Sequence, residues 1–183
     1  MNIKTILVVM GEPNSTFSEI LFKFFNSKNF KKMKKKIVLI GCKNLLLMQM
    51  KKLKYKLSLN EISNIKFSKN KKINIINIDY KFKKTFDTIS NKSNEYIKNC
   101  FDAGFAIIKK NKSIGFINGP ISKKHFLKKK FPGVTEYIAY KTNSKNEVML
   151  IYNEKMSVSP ITTHIPVKSI NKYITKKKII NNF

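Results

Sequence analysis

The chain has 183 residues, of which 42% are hydrophobic, so it can build the core of one ordinary domain or of one domain and a small second one. Its 38 basic residues are all Lys and face only 10 acidic residues, which gives a formal net charge of +28. This composition excludes a wholly disordered chain, a disulfide scaffold and an apolar run of about 20 residues that could span a membrane.

Short apolar runs alternate with helical patterns through the first part of the chain. Because these runs are continuously apolar, they predict parallel strands in a sheet that helices cover on both faces. Ser15 or Thr16 is expected to cap the first helix, and residues 31–36 form a basic stretch before the second strand. The predicted strands cover residues 3–10, 37–40, 73–78 and 114–117, and the predicted helices cover residues 15–25, 45–57 and 93–110.

The pattern changes after Ser122. A short basic helix is predicted over residues 122–130, and Pro132-Gly133 ends it. A second helix is predicted over residues 135–142, with Thr135 as its cap. Beyond it, residues 147–152 and 156–163 predict a hairpin that turns at Asn153-Glu154, and residues 167–183 predict one or two basic helical turns.

The cellular setting is predicted from the N-terminus and the cysteines. The apolar run over residues 6–10 is shorter than a secretory signal requires, because Gly11 and Pro13 follow it at once. Cys42 and Cys100 are therefore expected to be plain buried thiols in a reducing cytoplasm, rather than a redox pair.

Turns that follow strands are the first places to search for chemistry, since parallel sheets bind ligands at the carboxyl ends of their strands. Two such turns are distinctive, Gly11-Glu12-Pro13 and Asn118-Gly119-Pro120. The second leads toward Lys123, and it is either an ordinary strand-to-helix turn or a cradle for an anion. Thr135 leaves the same two interpretations open, because its hydroxyl can cap a helix or bind phosphate.

The two histidines differ in their surroundings. His125 lies in a basic helical segment and fits an exposed helix residue. His164 follows two threonines at the end of a predicted strand, where it is either a structural residue or a ligand of a divalent ion. A metal site needs three or four ligands, and no HxxxH or CxxC pattern supplies them, so a site that uses His164 must take its other ligands from elsewhere.

Three lysine runs raise the alternative of nucleic-acid binding. Lysines are spread along the whole chain, however, and the absence of Arg removes the side chain that best forms paired hydrogen bonds to bases and phosphates. Weak adhesion to polyanions is expected, but neither a specific nucleic-acid partner nor a membrane partner is predicted. The runs cover residues 31–36, 128–130 and 176–178.

Three segments in a fixed order carry a resemblance to a known family. They are Gly11-Glu12-Pro13, Asn118-Gly119-Pro120-Ile121-Ser122-Lys123 followed by Pro132-Gly133-Val134-Thr135-Glu136-Tyr137, and Thr162-Thr163-His164-Ile165-Pro166. In order and spacing the chain resembles the first half of the 4-hydroxythreonine-4-phosphate dehydrogenase family.

The resemblance implies an enzyme of pyridoxal 5'-phosphate biosynthesis. Such an enzyme oxidises the secondary alcohol of 4-phosphooxy-threonine with NAD or NADP and a divalent metal (zinc, magnesium or cobalt), and the 3-oxo acid then loses carbon dioxide. The implied fold is of the isocitrate/isopropylmalate dehydrogenase type, an α/β/α first domain and a second domain, working as a cytoplasmic homodimer. We therefore expect a truncated chain. Residues 1–124 would belong to the first domain, and residues 125–183 would begin the second domain, which contains the subunit interface and the metal site.

The resemblance also implies roles for three residues. His164 would be one of three histidine ligands of the metal. Thr135 would bind the small phosphorylated substrate through its phosphate, and Lys123 is a second candidate for substrate binding. The chain departs from the family pattern at residues 15–18, where a glycine-rich stretch is usual, and at Val134, where a histidine is usual and where valine cannot donate a hydrogen bond.

Two rival interpretations remain open. One is a sister dehydrogenase that acts on a phosphorylated four-carbon sugar acid, such as threonate or erythronate phosphate. The other is a basic polyanion-binding module. Under the main interpretation, the ligands outside this sequence are needed for activity, so the chain alone is expected neither to turn over substrate nor to bind metal tightly.

Overall fold

The computed structural model describes residues 4–111, 114–128, 130–144, 147–163 and 165–181. The chain divides into two compact units, Met1–Lys128 and Lys129–Phe183. The sequence placed a boundary between residues 124 and 125.

The first unit is built on a five-stranded sheet in which every pair of neighbouring strands is parallel. The strand order is β3-β4-β2-β1-β5, so the predicted parallel α/β fold is confirmed. Four of the strands were predicted, whereas the three-residue edge strand β3 is too short and polar to show a pattern. The strands are β1 (Thr5–Val9), β2 (Lys36–Gly41), β3 (Leu59–Glu61), β4 (Ile73–Asn77) and β5 (Ile114–Asn118).

Helices cover both faces of this sheet, because successive strand residues point to opposite sides. On one face Val8, Leu39 and Ile75 join a core cluster with apolar residues of the first three helices. On the other face Gly104 lies against Val9 and Ile40, since a Cβ at that glycine would approach both side chains. The helices of this unit are α1 (Phe17–Phe25), α2 (Lys28–Lys32), α3 (Lys43–Lys52) and α4 (Asn94–Lys110).

Several helix ends differ from the sequence prediction. Thr16 occupies the N-cap position of α1 but makes no side-chain cap bond, while the Ser15 hydroxyl accepts from the backbone N–H of Phe17 at 3.3 Å. The short helix α2 overlaps the predicted basic stretch only at Lys31 and Lys32, and it is capped by Ser27, which accepts from the N–H of Phe30. The basic helix predicted over residues 122–130 is a single π-helical turn, Lys123–Leu127.

A buried asparagine fixes the connection between β3 and β4. Asn74 is fully buried, and its amide donates to the carbonyl oxygens of Ile37, Lys69 and Lys72. Its side-chain oxygen accepts from the N–H of Lys69 at 2.9 Å. These bonds give partners to the buried amide and to backbone groups of β2 and of the loop before β4, which is why a polar side chain is tolerated in the middle of the sheet.

The second unit contains short elements. The predicted helix begins at Val134 rather than at Thr135, and its N-cap is Gly133, so the prediction that Thr135 caps it is wrong. The predicted hairpin is present, with Ile151 paired to Val158 and Tyr152 paired to Ser157, but each strand has only two residues. The elements are α5 (Val134–Thr142), β6 (Ile151–Tyr152), β7 (Ser157–Val158), α6 (Ile170–Tyr173) and α7 (Lys176–Asn181).

Both cysteines are buried and unpaired, as predicted. Burial raises the pKa of the Cys100 thiol to about 12, which keeps it protonated at neutral pH. Within the described residues, no helix has the length and apolar character needed to cross a lipid bilayer.

Candidate functional site: two glycine turns and a threonine-lined cavity

The turns after β1 and β5 lie against each other at the carboxyl-end edge of the sheet. Gly11 has a φ of +66°, and a Cβ there would lie 2.5 Å from the carbonyl oxygen of Pro120. A Cβ at Gly119 would collide with the carbonyl oxygen of Met10. Both glycines are therefore explained by close backbone packing.

In the second turn, the backbone N–H of Gly119 is hydrogen bonded as part of this packing. The N–H of Gly119 donates to the carbonyl oxygen of Val9 at 2.7 Å, and the N–H of Glu12 donates to Pro120 at 2.8 Å. The N–H of Gly119, which an anion cradle would need, is therefore already bonded to a carbonyl oxygen of the protein. Lys123 begins the π-helical turn that follows and is exposed, so its ammonium group is available to an anion.

Glu12 is the buried charge of this edge. Only 3% of the residue is exposed, and its carboxylate accepts from the Ser93 hydroxyl at 2.8 Å and from the backbone N–H of Asn14 at 3.1 Å. Burial, and then the nearby charge of Glu12, raise the pKa of the Tyr80 hydroxyl. The carboxylate thus joins the loop after β1 to the loop before α4, a role that a lone acid between glycine and proline did not reveal in the sequence.

His125 lies in the same unit and has structural partners. Its backbone N–H donates to the Ser122 hydroxyl at 3.1 Å, which caps the π-helical turn. Its carbonyl oxygen accepts from the side-chain amide of Asn94, and its Nδ1 lies 3.3 Å from the side-chain oxygen of Asn91. These contacts attach the turn to the start of α4.

The second unit contains a cavity of about 440 Å³ that is lined by hydroxyl groups. Four of the nine threonines in the sequence line it, although they come from three separate segments: Thr135, Thr162, Thr163 and Thr175. Lys177 and Lys178 from α7 lie at the same cavity. Hydroxyl donors and ammonium groups around one space are the chemistry that binds an oxyanion.

The first turn of α5 forms part of this wall. Thr135 and Glu136 line the cavity, and Gly133 provides no side-chain cap for the helix. The first N–H groups of a helix have no partner within the helix and carry the positive end of its dipole, so they favour an anion. Val134 also lies in this turn and cannot donate a side-chain hydrogen bond.

Two acidic residues that line the cavity, Glu136 and Glu147, oppose an anion. The Oε2 of Glu136 is buried and has no hydrogen-bond partner among the described residues. The same oxygen lies 3.0 Å from the position that a Cβ on Gly133 would take, so it folds back over the start of α5.

The metal prediction rests on His164, which lies outside the described residues. Thr163 and Ile165, its neighbours in sequence, both line the cavity. The described part of the chain contains no group of three or more His, Cys, Asp or Glu residues that could hold a metal ion. The described residues alone therefore do not form a divalent-metal site.

Comparison with known proteins decides the family. The family model described as "Pyridoxal phosphate biosynthetic protein PdxA" matches residues 32–183, which is most of the chain. This protein belongs to the PdxA family. The resemblance to this family is therefore confirmed.

Individual members of the PdxA family agree with this assignment. A 4-hydroxythreonine-4-phosphate dehydrogenase from Sulfurihydrogenibium is 30% identical over 181 residues, covering 96% of this chain and 54% of that protein. The enzyme of the same name from Aquifex aeolicus is 28% identical and covers 97% of this chain and 55% of its own length. The chain thus spans about half the length of the curated relatives it matches.

A solved structure of a PdxA relative shows the same fold. The 4-hydroxythreonine-4-phosphate dehydrogenase from Burkholderia phymatum superposes with a TM-score of 0.82 at 17% identity, and the match covers all of this chain and 56% of that one. The fold predicted from the resemblance is confirmed over this part of the PdxA architecture.

Proposed function

We propose that this chain forms the first part of a 4-hydroxythreonine-4-phosphate dehydrogenase and contributes the phosphate-binding wall of its active site. Family membership and the names of its relatives support the reaction, an oxidation of 4-phosphooxy-threonine in pyridoxal phosphate biosynthesis. Since the matches cover about half of each relative, the remaining groups would come from the part of such enzymes that this chain does not match.

The observation that carries the proposal is the threonine-lined cavity. The resemblance alone assigns Thr135 to the substrate phosphate, and Thr135 lines the cavity together with Thr162, Thr163 and Thr175. In the proposed role, the Thr135 hydroxyl and the free N–H groups of that turn hold the phosphate and thereby fix the position of the carbons to be oxidised. Lys123 lies in the first unit, and its role in substrate binding stays a prediction from the resemblance.

The cofactors and the assembly belong to this proposal as well. NAD or NADP would accept the hydride, and a divalent metal held partly by His164 would stabilise negative charge on the substrate oxygens. A cytoplasmic homodimer is the proposed assembly. Because the other metal ligands are not among the described residues, we propose that the chain binds phosphorylated ligand but does not turn it over alone.

A binding experiment tests the phosphate assignment. Calorimetric titration of the full 183-residue chain with 4-phosphooxy-threonine should give measurable binding, and Thr135→Val should weaken it by about tenfold or more, the value of a hydrogen bond to a charged group. Thr142→Val is the matched control, because that hydroxyl lies at the other end of α5 and donates to the carbonyl oxygen of Ile138 at 2.9 Å. Equal losses in the two variants would contradict the proposal.

Turnover and ligand choice test the remaining parts. Incubation of the chain with NAD, Mg²⁺ and 4-phosphooxy-threonine should produce no NADH. Robust NADH production by these residues alone would contradict the proposal that the chain carries only part of the active site. Tighter binding of threonate or erythronate phosphate than of 4-phosphooxy-threonine would instead favour the sister dehydrogenase.

A further inference from the structure

The acidic residues of the first unit are concentrated at one edge of its sheet. Six of its seven acidic residues lie at the carboxyl ends of strands, in the loops that follow them or in the first turns of the next helices, and the backbone N–H of Asp87 donates to the side chain of Asn14 in the loop after β1. These six are Glu12, Glu19, Glu61, Asp79, Asp87 and Glu95. The seventh, Asp102, lies in the middle of α4 and pairs with Lys98 at 2.8 Å.

The opposite edge of the sheet, where the strands begin, carries lysines without acids. No Asp or Glu occurs between Glu19 and Glu61, or between Glu61 and Asp79, and these stretches lead into β2 and β4. Six lysines stand immediately before, or at the first residue of, three adjacent strands. These amino-edge lysines are Lys4, Lys34, Lys35, Lys36, Lys71 and Lys72.

Strand register brings these lysines together. Lys36 is paired with Thr5 and donates its backbone N–H to the carbonyl oxygen of Lys4 at 3.1 Å. The pairing of Ile37 with Ile73 places Lys36 beside Lys72 on the next strand. Neighbouring strands are about 4.8 Å apart, which is shorter than the screening length of about 8 Å at physiological salt. The ammonium groups therefore repel one another, and no ion pair within the described residues involves them.

We propose that the amino-edge lysines form a docking surface for the phosphate backbone of a nucleic-acid duplex, bound without sequence preference. Five of the six are exposed, and only Lys36 is half-buried. A line of phosphates would relieve their mutual repulsion and release bound counterions. Lysine acts as a point charge, which suits phosphates and carries no base readout.

The residues around the amino-edge lysines favour a nucleic-acid duplex over single-stranded nucleic acid and over an anionic lipid surface. The apolar residues among these lysines face inward, because Phe30 is buried and Met33 packs against the core cluster. Among the described residues, the direct sequence neighbours of the amino-edge lysines include no exposed aromatic or apolar side chain for bases to stack on or to enter a lipid surface, and the exposed Phe67 lies four residues before Lys71.

This surface is separate from the glycine turns within the same unit. Gly11, Glu12 and Gly119 lie at the carboxyl-end edge, whereas the amino-edge lysines lie at the other end of the same strands. A duplex bound at the lysines therefore leaves the loops at Glu12 uncovered.

The test compares two triple variants of the full chain that lose the same charge. Lys35→Gln, Lys71→Gln and Lys72→Gln remove half of the amino-edge lysines, whereas Lys81→Gln, Lys83→Gln and Lys84→Gln remove exposed lysines from the loop after β4. Affinity for a fluorescent random-sequence 24-base-pair DNA duplex is measured by anisotropy over a range of salt concentrations. The amino-edge variant should lower the magnitude of the log–log salt slope by about 3, one unit for each lost phosphate contact, and weaken binding at least tenfold at low salt.

The control triple should change the slope by less than half as much, and a Lys→Arg triple at positions 35, 71 and 72 should bind like the unchanged chain. Equal losses in the two Gln triples would overturn the proposal, because binding would then follow total charge alone. Binding to vesicles of anionic phospholipid that depends on the amino-edge lysines, without binding to the duplex, would overturn it in favour of a membrane surface.

Discussion

The first unit buries a sheet between two layers of helices, whereas the second exposes most of its apolar side chains. Phe22, Leu39 and Ile75 are at most 1% exposed in the first unit. In the described part of the second unit, Tyr137 and Ala139 are the buried hydrophobic residues, while Tyr152 of the hairpin is 72% exposed. Burial of apolar area is the main stabilising term, so the first unit should hold most of the folding free energy of this chain.

This difference separates stability from ligand binding. The unit with the larger core contains the glycine turns and the amino-edge lysines, and the threonine-lined cavity belongs to the unit with few buried residues. The cavity is therefore supported by little packing of its own, and a bound phosphate would add stability to the second unit by binding its folded form.

The largest expected effect comes from truncating a core side chain. Phe22→Ala should destabilise the first unit by about 3–5 kcal/mol, since it removes a ring from the cluster and leaves a cavity. Tyr152→Ala in the hairpin should change the free energy of unfolding by less than about 0.5 kcal/mol. Urea unfolding followed by circular dichroism measures both. Similar losses of unfolding free energy in the two variants would contradict the difference in core packing between the two units.

A smaller effect is expected from the buried carboxylate. Glu12→Gln should cost about 1–3 kcal/mol, because the amide replaces an acceptor-only group opposite Asn14 and Ser93. The exposed Glu154 of the hairpin turn supplies the control, and Glu154→Gln should be close to neutral. A neutral Glu12→Gln in the same urea titration would mean that the carboxylate does not hold the two loops together.

The smallest effect concerns thiol reactivity and leaves stability unchanged. In a Cys42→Ala background, Cys100 should resist iodoacetamide at pH 8.5, because its pKa of about 12 leaves almost no thiolate, the reactive form. Alkylation should become fast as the pH approaches this value, or after unfolding in urea, where the pKa returns toward its ordinary 9.0. Rapid alkylation of the folded chain at pH 8.5, followed by mass spectrometry, would show that the first unit opens readily.

The sequence predicted the sheet well because its strands are buried on both faces and so appear as continuous apolar runs. It missed β3, which has only one apolar residue and depends on pairing with β4 and on the hydrogen bonds of Asn74. It also took Thr135 as a cap, whereas chain geometry before α5 makes Gly133 the cap and leaves Thr135 inside the first turn.

The candidate site was predictable in part, for a different reason. Motif spacing singled out Thr135 and the segment around His164, and Thr135, Thr163 and Ile165 do line one cavity. Thr175 and the α7 lysines were not predicted as site residues, because they join the cavity only through tertiary packing. Glu12 was visible in the sequence as part of a turn, but its burial depends on Ser93, which is 81 residues away along the chain.

A crystal structure of the full chain with 4-phosphooxy-threonine would show whether the cavity at the start of α5 binds the phosphate of the substrate, as we propose. We expect phosphate oxygens within hydrogen-bond distance of the Thr135 hydroxyl and of N–H groups in the first turn of α5. A phosphate bound only at the amino-edge lysines, with the threonine-lined cavity empty at saturating ligand, would contradict the proposal.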